Sequence, residues 1–138
     1  MDFYVNMKIR KGGTIMNNKL KTWHFGIDNN RLVELVLSGK KIATTSLYDK
    51  NDTPKVDEES VLMFDNGRKA CITKTKKVII TEFKNIDEEL SKLEGEGTFE
   101  EWRKKHIEYF RSVDSNFNEN TKVVFEIFEV IEKLVEHD

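Results

Sequence analysis

The sequence predicts an α+β domain, and three observations carry that reading. Short apolar stretches read as strands, with a hairpin turn at Asp65-Asn66-Gly67; helical periodicity is inserted at only two places; and neither a βαβ rhythm nor an internal repeat is present. The same pattern fits a small barrel. At 138 residues the chain is of single-domain size and large enough to bury a core unaided.

Taken in order, Trp23-His24-Phe25-Gly26 is an aromatic anchor. Asp28-Asn29-Asn30 are helix-capping residues, Leu32, Leu35 and Val36 share one helical face, and Ser38-Gly39 stops the helix. Ile42 to Tyr48 reads as a strand, and Asn51-Asp52-Thr53-Pro54 as a turn marked by the only proline. Ser60–Phe64 and Arg68–Thr73 pair across the Asp65-Asn66-Gly67 turn. Lys77–Phe83 makes a further strand and Ile86–Leu93 a short helix. Thr98-Phe99-Glu100-Glu101 is a capping box opening a helix to about Ser112, with Phe99, Trp102, His106, Tyr109 and Phe110 on one side. Thr121–Val130 closes the domain as a strand apolar on both faces, hence a central one.

Composition narrows the function classes. Nine Phe, three Tyr and two Trp argue against disorder despite 35% charged residues. No stretch is long and apolar enough for a membrane span, and the start of the chain lacks a signal-peptide core. A lone Cys71 suits a reducing, cytoplasmic setting, and three scattered His give no metal pattern, so neither metal nor cofactor is expected. The net charge is −2; residues 1–15 carry Lys8, Arg10 and Lys11 against Asp2, so the remainder stands at −4. Such a surface does not coat nucleic acid through bulk electrostatics, and any such role rests on a local patch.

Residues 1–15 show no periodicity and end just ahead of Met16. Lys11-Gly12-Gly13 can be encoded by AAAGGAGGU, a ribosome-binding sequence in front of a Met16 codon. The expected organisation is therefore a disordered or wrongly included extension over 1–15 and one domain over 16–138. Mass spectrometry of the native N-terminus decides it, since a Met1 peptide from the source cell contradicts a Met16 start.

Three constellations could carry chemistry. Gly39-Lys40-Lys41-Ile42-Ala43-Thr44-Thr45-Ser46 puts two lysines and three hydroxyls directly after a helix stop. A desolvated Lys41 would lose basicity and could deprotonate Thr44 or Thr45. In a regular strand beginning at Lys41, Thr44 points away from it, so the two converge only if Lys41 belongs to the turn. The bland alternative is a solvated lysine pair at a helix C-terminus followed by a threonine-rich strand, and pattern alone favours it. Glu94-Gly95-Glu96-Gly97 places a carboxylate between glycines before a helix; its bland alternative is an exposed linker. Trp102, His106 and Phe110 form a stripe that is more often core than a stacking platform. No Gly-x-Ser-x-Gly, phosphate loop or dinucleotide fingerprint occurs.

Trp23-His24-Phe25-Gly26, Leu32-Val33 with Leu35-Val36-Leu37, Gly39 to Thr44, Glu94 to Gly97, and Trp102-Arg103-x-x-His106 with Tyr109-Phe110 together resemble, in order and spacing, the bacterial ASCH-domain proteins over residues 19–131. The resemblance implies a PUA-like fold: a small, mostly antiparallel β-barrel with flanking helices. It also implies a cleft beside the Gly-Lys-Lys motif that binds RNA or a small nucleoside or nucleotide. Gly39, Lys40, Thr45, Ser46, Glu94 and His106 would line it, with Trp23, Phe25 and Trp102 as aromatic contacts. Some small members look like amidohydrolases of N4-acylated cytidines that use a Lys, a Thr and a Glu. Carried over, these fall on Lys41, Thr44 and Glu96, with Glu94 the alternative acid. In that mechanism a Lys41 of lowered pKa deprotonates Thr44, and Glu96 protonates the leaving amine. A ribonuclease is a weaker third reading. An arginine frequent after the motif in the family is absent, since Thr45-Ser46-Leu47 stand in its place.

Overall fold

A computed structural model describes residues 20–135 of the chain; the 1–15 extension lies outside them. Among the described residues, five strands and three helices follow one another as β1 (Lys21–Trp23), α1 (Asn29–Leu37), β2 (Ala43–Leu47), β3 (Glu59–Met63), β4 (Lys69–Glu82), α2 (Glu88–Lys92), α3 (Phe99–Val113) and β5 (Lys122–Lys133), with a 3-10 turn at Phe83–Asn85. The strands form one sheet in the order β1-β3-β4-β5-β2. Only the β1–β3 pair is parallel; the other pairs are antiparallel. The α+β class therefore stands. The edge strands β1 and β2 are not laddered to each other among the described residues, so the sheet is open there.

Local chemistry explains most boundaries. The β3–β4 hairpin turns where Gly67 takes a φ of +86°, and Phe64 N–H bonds the Arg68 carbonyl. Thr98 and Glu101 form the reciprocal capping box, and Asp87 caps α2 by accepting from Leu90 N–H. β5 lies between β4 and β2, which is why its residues 123–125 are apolar on both faces.

Two expectations need correction. Asp28 occupies the N-cap of α1, but with a φ of +53° its side chain caps nothing and instead pairs with Arg31. Asn29 takes the buried polar role, accepting from Phe25 N–H and donating to the Met63 carbonyl and Asp65. The stretches expected as separate strands at 68–73 and 77–83 are one strand, β4. The run Lys74-Thr75-Lys76-Lys77 is not a break but a bulge against β5: Thr75 points inward and bonds Glu126, while Lys76 and Lys77 stay outside.

Two apolar clusters form the core. The first joins Trp23, Phe25, Leu32, Val33 and Val36 to Leu62, Ala70, Cys71 and Phe128, under α1. The second joins Phe83, Ile86, Trp102, Phe110 and Phe117 to Ala43, Val123 and Phe125, under α3. Fully burying one such side chain contributes roughly 1.5–3 kcal/mol. The functional groups described next sit in the seam between the clusters.

Candidate functional site

The site starts from a backbone device. Helix α1 ends in paired bonds from Gly39 N–H to the Val36 carbonyl and Lys40 N–H to the Leu35 carbonyl, with Gly39 at φ +83°. That Schellman closure turns the chain sharply. Lys41 N–H also bonds the Leu35 carbonyl, and Ile42 bridges the Leu93 carbonyl and Phe128 N–H. Lys41 thus belongs to the turn, and β2 begins only at Ala43. This is the arrangement that lets Lys41 and Thr44 face one cavity, and both line it.

The Glu94–Gly97 segment is pressed against that turn. Gly95 has φ +65°, and a Cβ there would lie 2.2 Å from the Lys40 carbonyl oxygen, so only glycine fits. The close approach delivers the carboxylates on either side of Gly95 to one ammonium. Lys41 Nζ donates to Glu94 Oε1 at 3.1 Å and to Glu96 Oε2 at 2.5 Å, and lies 5.3 Å from the Phe25 ring centroid. Glu94 is fully buried; its Oε2 accepts from the Thr45 hydroxyl at 2.5 Å, and its Oε1 also faces His106 Nε2 at 3.5 Å.

The electrostatics follow from this packing. Burial pulls the Lys41 pKa down, but the Glu94 and Glu96 charges and hydrogen bonds more than offset it, and the pKa ends above its ordinary value. The expected lowered-pKa lysine base is therefore corrected: Lys41 is a held ammonium with no lone pair to give. For Glu94, burial pushes upward, but Lys41, His106 and the Thr45 hydroxyl hold its carboxyl far below the usual range. His106 is likewise lowered by burial and raised further by Glu94, to a net rise. Its Nδ1–H donates to the Trp102 carbonyl at 2.8 Å, so Nε2 meets the carboxylate favourably only as the protonated imidazolium.

Above this floor opens a cavity of about 400 Å³, walled by Phe25, Ile27, Leu32, Tyr109 and Phe110, with Arg31, Asp28, Lys105 and Glu108 among its charged residues. Lys41, Thr44, Thr45, Glu94, Glu96 and His106 all line it. The structure does not bring every expected residue there. Trp23 and Trp102 are each 1% exposed and belong to the two cores, Trp23 donating from Nε1 to Thr73. Gly39 lines a separate depression with Phe128 and Lys133, and Lys40 and Ser46 line neither. The sequence reading missed Arg31, Lys105, Glu108 and Tyr109. The 105, 108, 109, 112 spacing on α3 is the signal that could have found the helical part of the wall.

Glu94, Glu96 and His106 are the one group of potential ligands among the described residues whose donor atoms lie within 4.8 Å of each other. The Lys41 ammonium already bridges both carboxylates, so a cation would have to displace it. No helix among the described residues is long and apolar enough to cross a membrane.

The open α+β sheet thus carries a buried, charge-balanced constellation beneath an aromatic-walled cavity. A family model described as "ASCH domain" matches residues 21–132, and the chain belongs to that family. Among solved structures, it is similar to an ASCH domain from Lactobacillus crispatus at 22% identity and a TM-score of 0.74, over 94% of this chain and 89% of that one. A protein from Enterococcus faecalis is similar at 26% identity and a TM-score of 0.68, over 78% and 74% of the two chains. The ASCH protein of Zymomonas mobilis shares 7% identity at a TM-score of 0.54 over 77% and 68%, a likeness of fold alone. A search of curated proteins gave no match.

Proposed function

We propose that this ASCH domain binds a single nucleobase-type unit, as a nucleoside, a nucleotide or an unpaired residue of RNA, in the cavity over Lys41, Glu94 and Glu96. The observation that carries the reading is the cavity itself. Its size falls in the range of small-ligand sites, its wall offers aromatic and aliphatic faces, and its floor holds fixed polar groups. A planar base would lie against Phe25 and Tyr109 and meet the polar floor with its edge. Among the described residues Glu96 accepts one hydrogen bond, from Lys41 to Oε2, which leaves Oε1 for a ligand N–H. ASCH domains are generally thought to bind RNA, which agrees with base recognition; the overall acidity favours one unit over a long strand.

The direct test is a thermal-shift and calorimetric panel of nucleosides, nucleotides and short single strands. A ligand that raises the melting temperature of the wild type and fails to do so for Glu96→Gln supports the reading. A panel in which nothing binds overturns it.

One observation favours an amidohydrolase as the second reading. Thr44 is among the residues lining the cavity and its hydroxyl makes no hydrogen bond among the described residues, which leaves it available as a nucleophile. With Lys41 protonated, the base would be Glu96 and not the lysine. Thr44 Oγ would bond to the acyl carbon as its proton passes to Glu96. The acyl C–N bond would then break with that proton going to the amine, and water would hydrolyse the threonine ester. Lys41 would serve as the fixed positive charge beside the reacting groups. Release of cytidine from N4-acetylcytidine, absent in Thr44→Ala, is the expected signature; no release from the wild type refutes it.

A further inference from the structure

The cavity does not end at Glu96. A second depression of about 360 Å³ is lined by Glu96, Glu101, Lys104, Lys105 and Glu108, and shares Glu96, Lys105 and Glu108 with the main chamber. The two compartments differ in chemistry. The chamber wall is largely apolar, whereas the depression, laid over the first turns of α3, is made entirely of charged side chains. Glu96 stands between them, and Gly97 after it has φ +103°.

Glu96 is paired with Lys41, which lies outside the depression, and Lys105 is near enough to Glu101 to favour its charged form. Lys104, Lys105 and Glu108 make no hydrogen bond or ion pair among the described residues, and Glu101 is engaged in capping α3. With Lys41 counted beside the Glu96 it holds, the three carboxylates are matched by three ammoniums. A phosphate gains little from such a site, because each ammonium it meets is accompanied by a carboxylate. A polyhydroxyl group gains more, because each hydroxyl can donate to a carboxylate and accept from an ammonium.

We propose that this depression is a second subsite, built for the uncharged, hydroxyl-bearing appendage of the ligand whose base occupies the chamber, with Lys105 and Glu108 as its principal contacts. The proposal rests on the base-binding reading above and sharpens it: the ligand is an unphosphorylated nucleoside, bound across Glu96. A hydrogen bond to a charged group is worth about 1.5–3 kcal/mol, so each contact contributes roughly a tenfold factor or more in affinity.

Calorimetry on the full chain tests it with three forms of one ligand: the free base, its ribonucleoside and the nucleoside 5′-monophosphate. The nucleoside is expected to bind at least tenfold more tightly than the base and more tightly than the monophosphate. Lys105→Ala and Glu108→Gln should each cost the nucleoside severalfold more affinity than they cost the free base, removing most of the nucleoside's advantage. Base and nucleoside binding equally, or both variants keeping the nucleoside's advantage, overturns the subsite and leaves the chamber reading intact. A tighter monophosphate also overturns it, in favour of a nucleotide or an RNA end. Binding of none of the three removes the chamber reading as well. Circular dichroism of both variants, whose side chains are exposed on α3, confirms that any loss is not unfolding.

Discussion

Replacing Gly95 by alanine tests how the site is assembled. An alanine Cβ would sit 2.2 Å from the Lys40 carbonyl oxygen and 2.8 Å from its carbon, and the backbone there has φ +65°. The left-handed backbone costs an alanine about 1–2 kcal/mol, and forcing apart packed atoms adds about 1–3 kcal/mol. Together these give about 2–5 kcal/mol, or roughly 6–20 °C of melting temperature for a domain of this size. Gly39 supplies the control. It has φ +83° but nothing within 4 Å of its Cβ position, so Gly39→Ala incurs the backbone term alone, roughly 3–8 °C. Thermal unfolding of the two variants side by side isolates the close approach. The clash also displaces the two carboxylates from Lys41, so any ligand bound by the wild type should be lost from Gly95→Ala. If Gly95→Ala loses no more stability than Gly39→Ala, the approach of the Glu94–Gly97 segment to the Lys41 turn is not what holds the site.

Other outcomes follow from the same network. Lys41→Met leaves two carboxylates buried without their cation and should cost about 3–5 kcal/mol in urea unfolding; adding Glu94→Gln and Glu96→Gln to it should recover much of that loss. His106 has a folded-state pKa raised above its ordinary value of about 6.5, so its contribution is complete below that pH. It fades as pH rises through the folded-state value. Stability measured upward from pH 6 should therefore decline, and His106→Gln should flatten the decline. Cys71 is buried and its thiol is pushed up to about 11, so it should resist a thiol reagent at pH 8 until the domain unfolds.

Much of the architecture was legible because local signals and tertiary structure agree. The Thr98–Glu101 capping box, the Asp65-Asn66-Gly67 hairpin and the Gly39 helix stop each have a mechanism within a few residues. What failed were places where the deciding partner is distant. Lys74 to Lys77 look like a polar break unless one knows that Thr75 meets Glu126 across a bulge. β1 is only three residues long and exists through its parallel partner β3. The condition that Lys41 lie in the turn was readable, but the basicity of Lys41 was not. Its sign depends on two carboxylates more than fifty positions away, brought in by one glycine. Trp23 and Trp102 illustrate the converse, since aromatic residues in motifs were assigned to the cleft while packing placed them in the cores.

The central claim is that the chamber over Lys41, Glu94 and Glu96 is where this ASCH domain takes its ligand. Amide and side-chain NMR shifts during titration with a nucleoside locate binding directly. The expected result is saturable perturbation confined to the Lys41–Thr45 turn, the Glu94–Gly97 segment and the His106–Tyr109 face of α3, abolished in Glu96→Gln. Perturbation centred instead on the outer face of β4, around Lys76 and Lys77, or undiminished in Glu96→Gln, would contradict it.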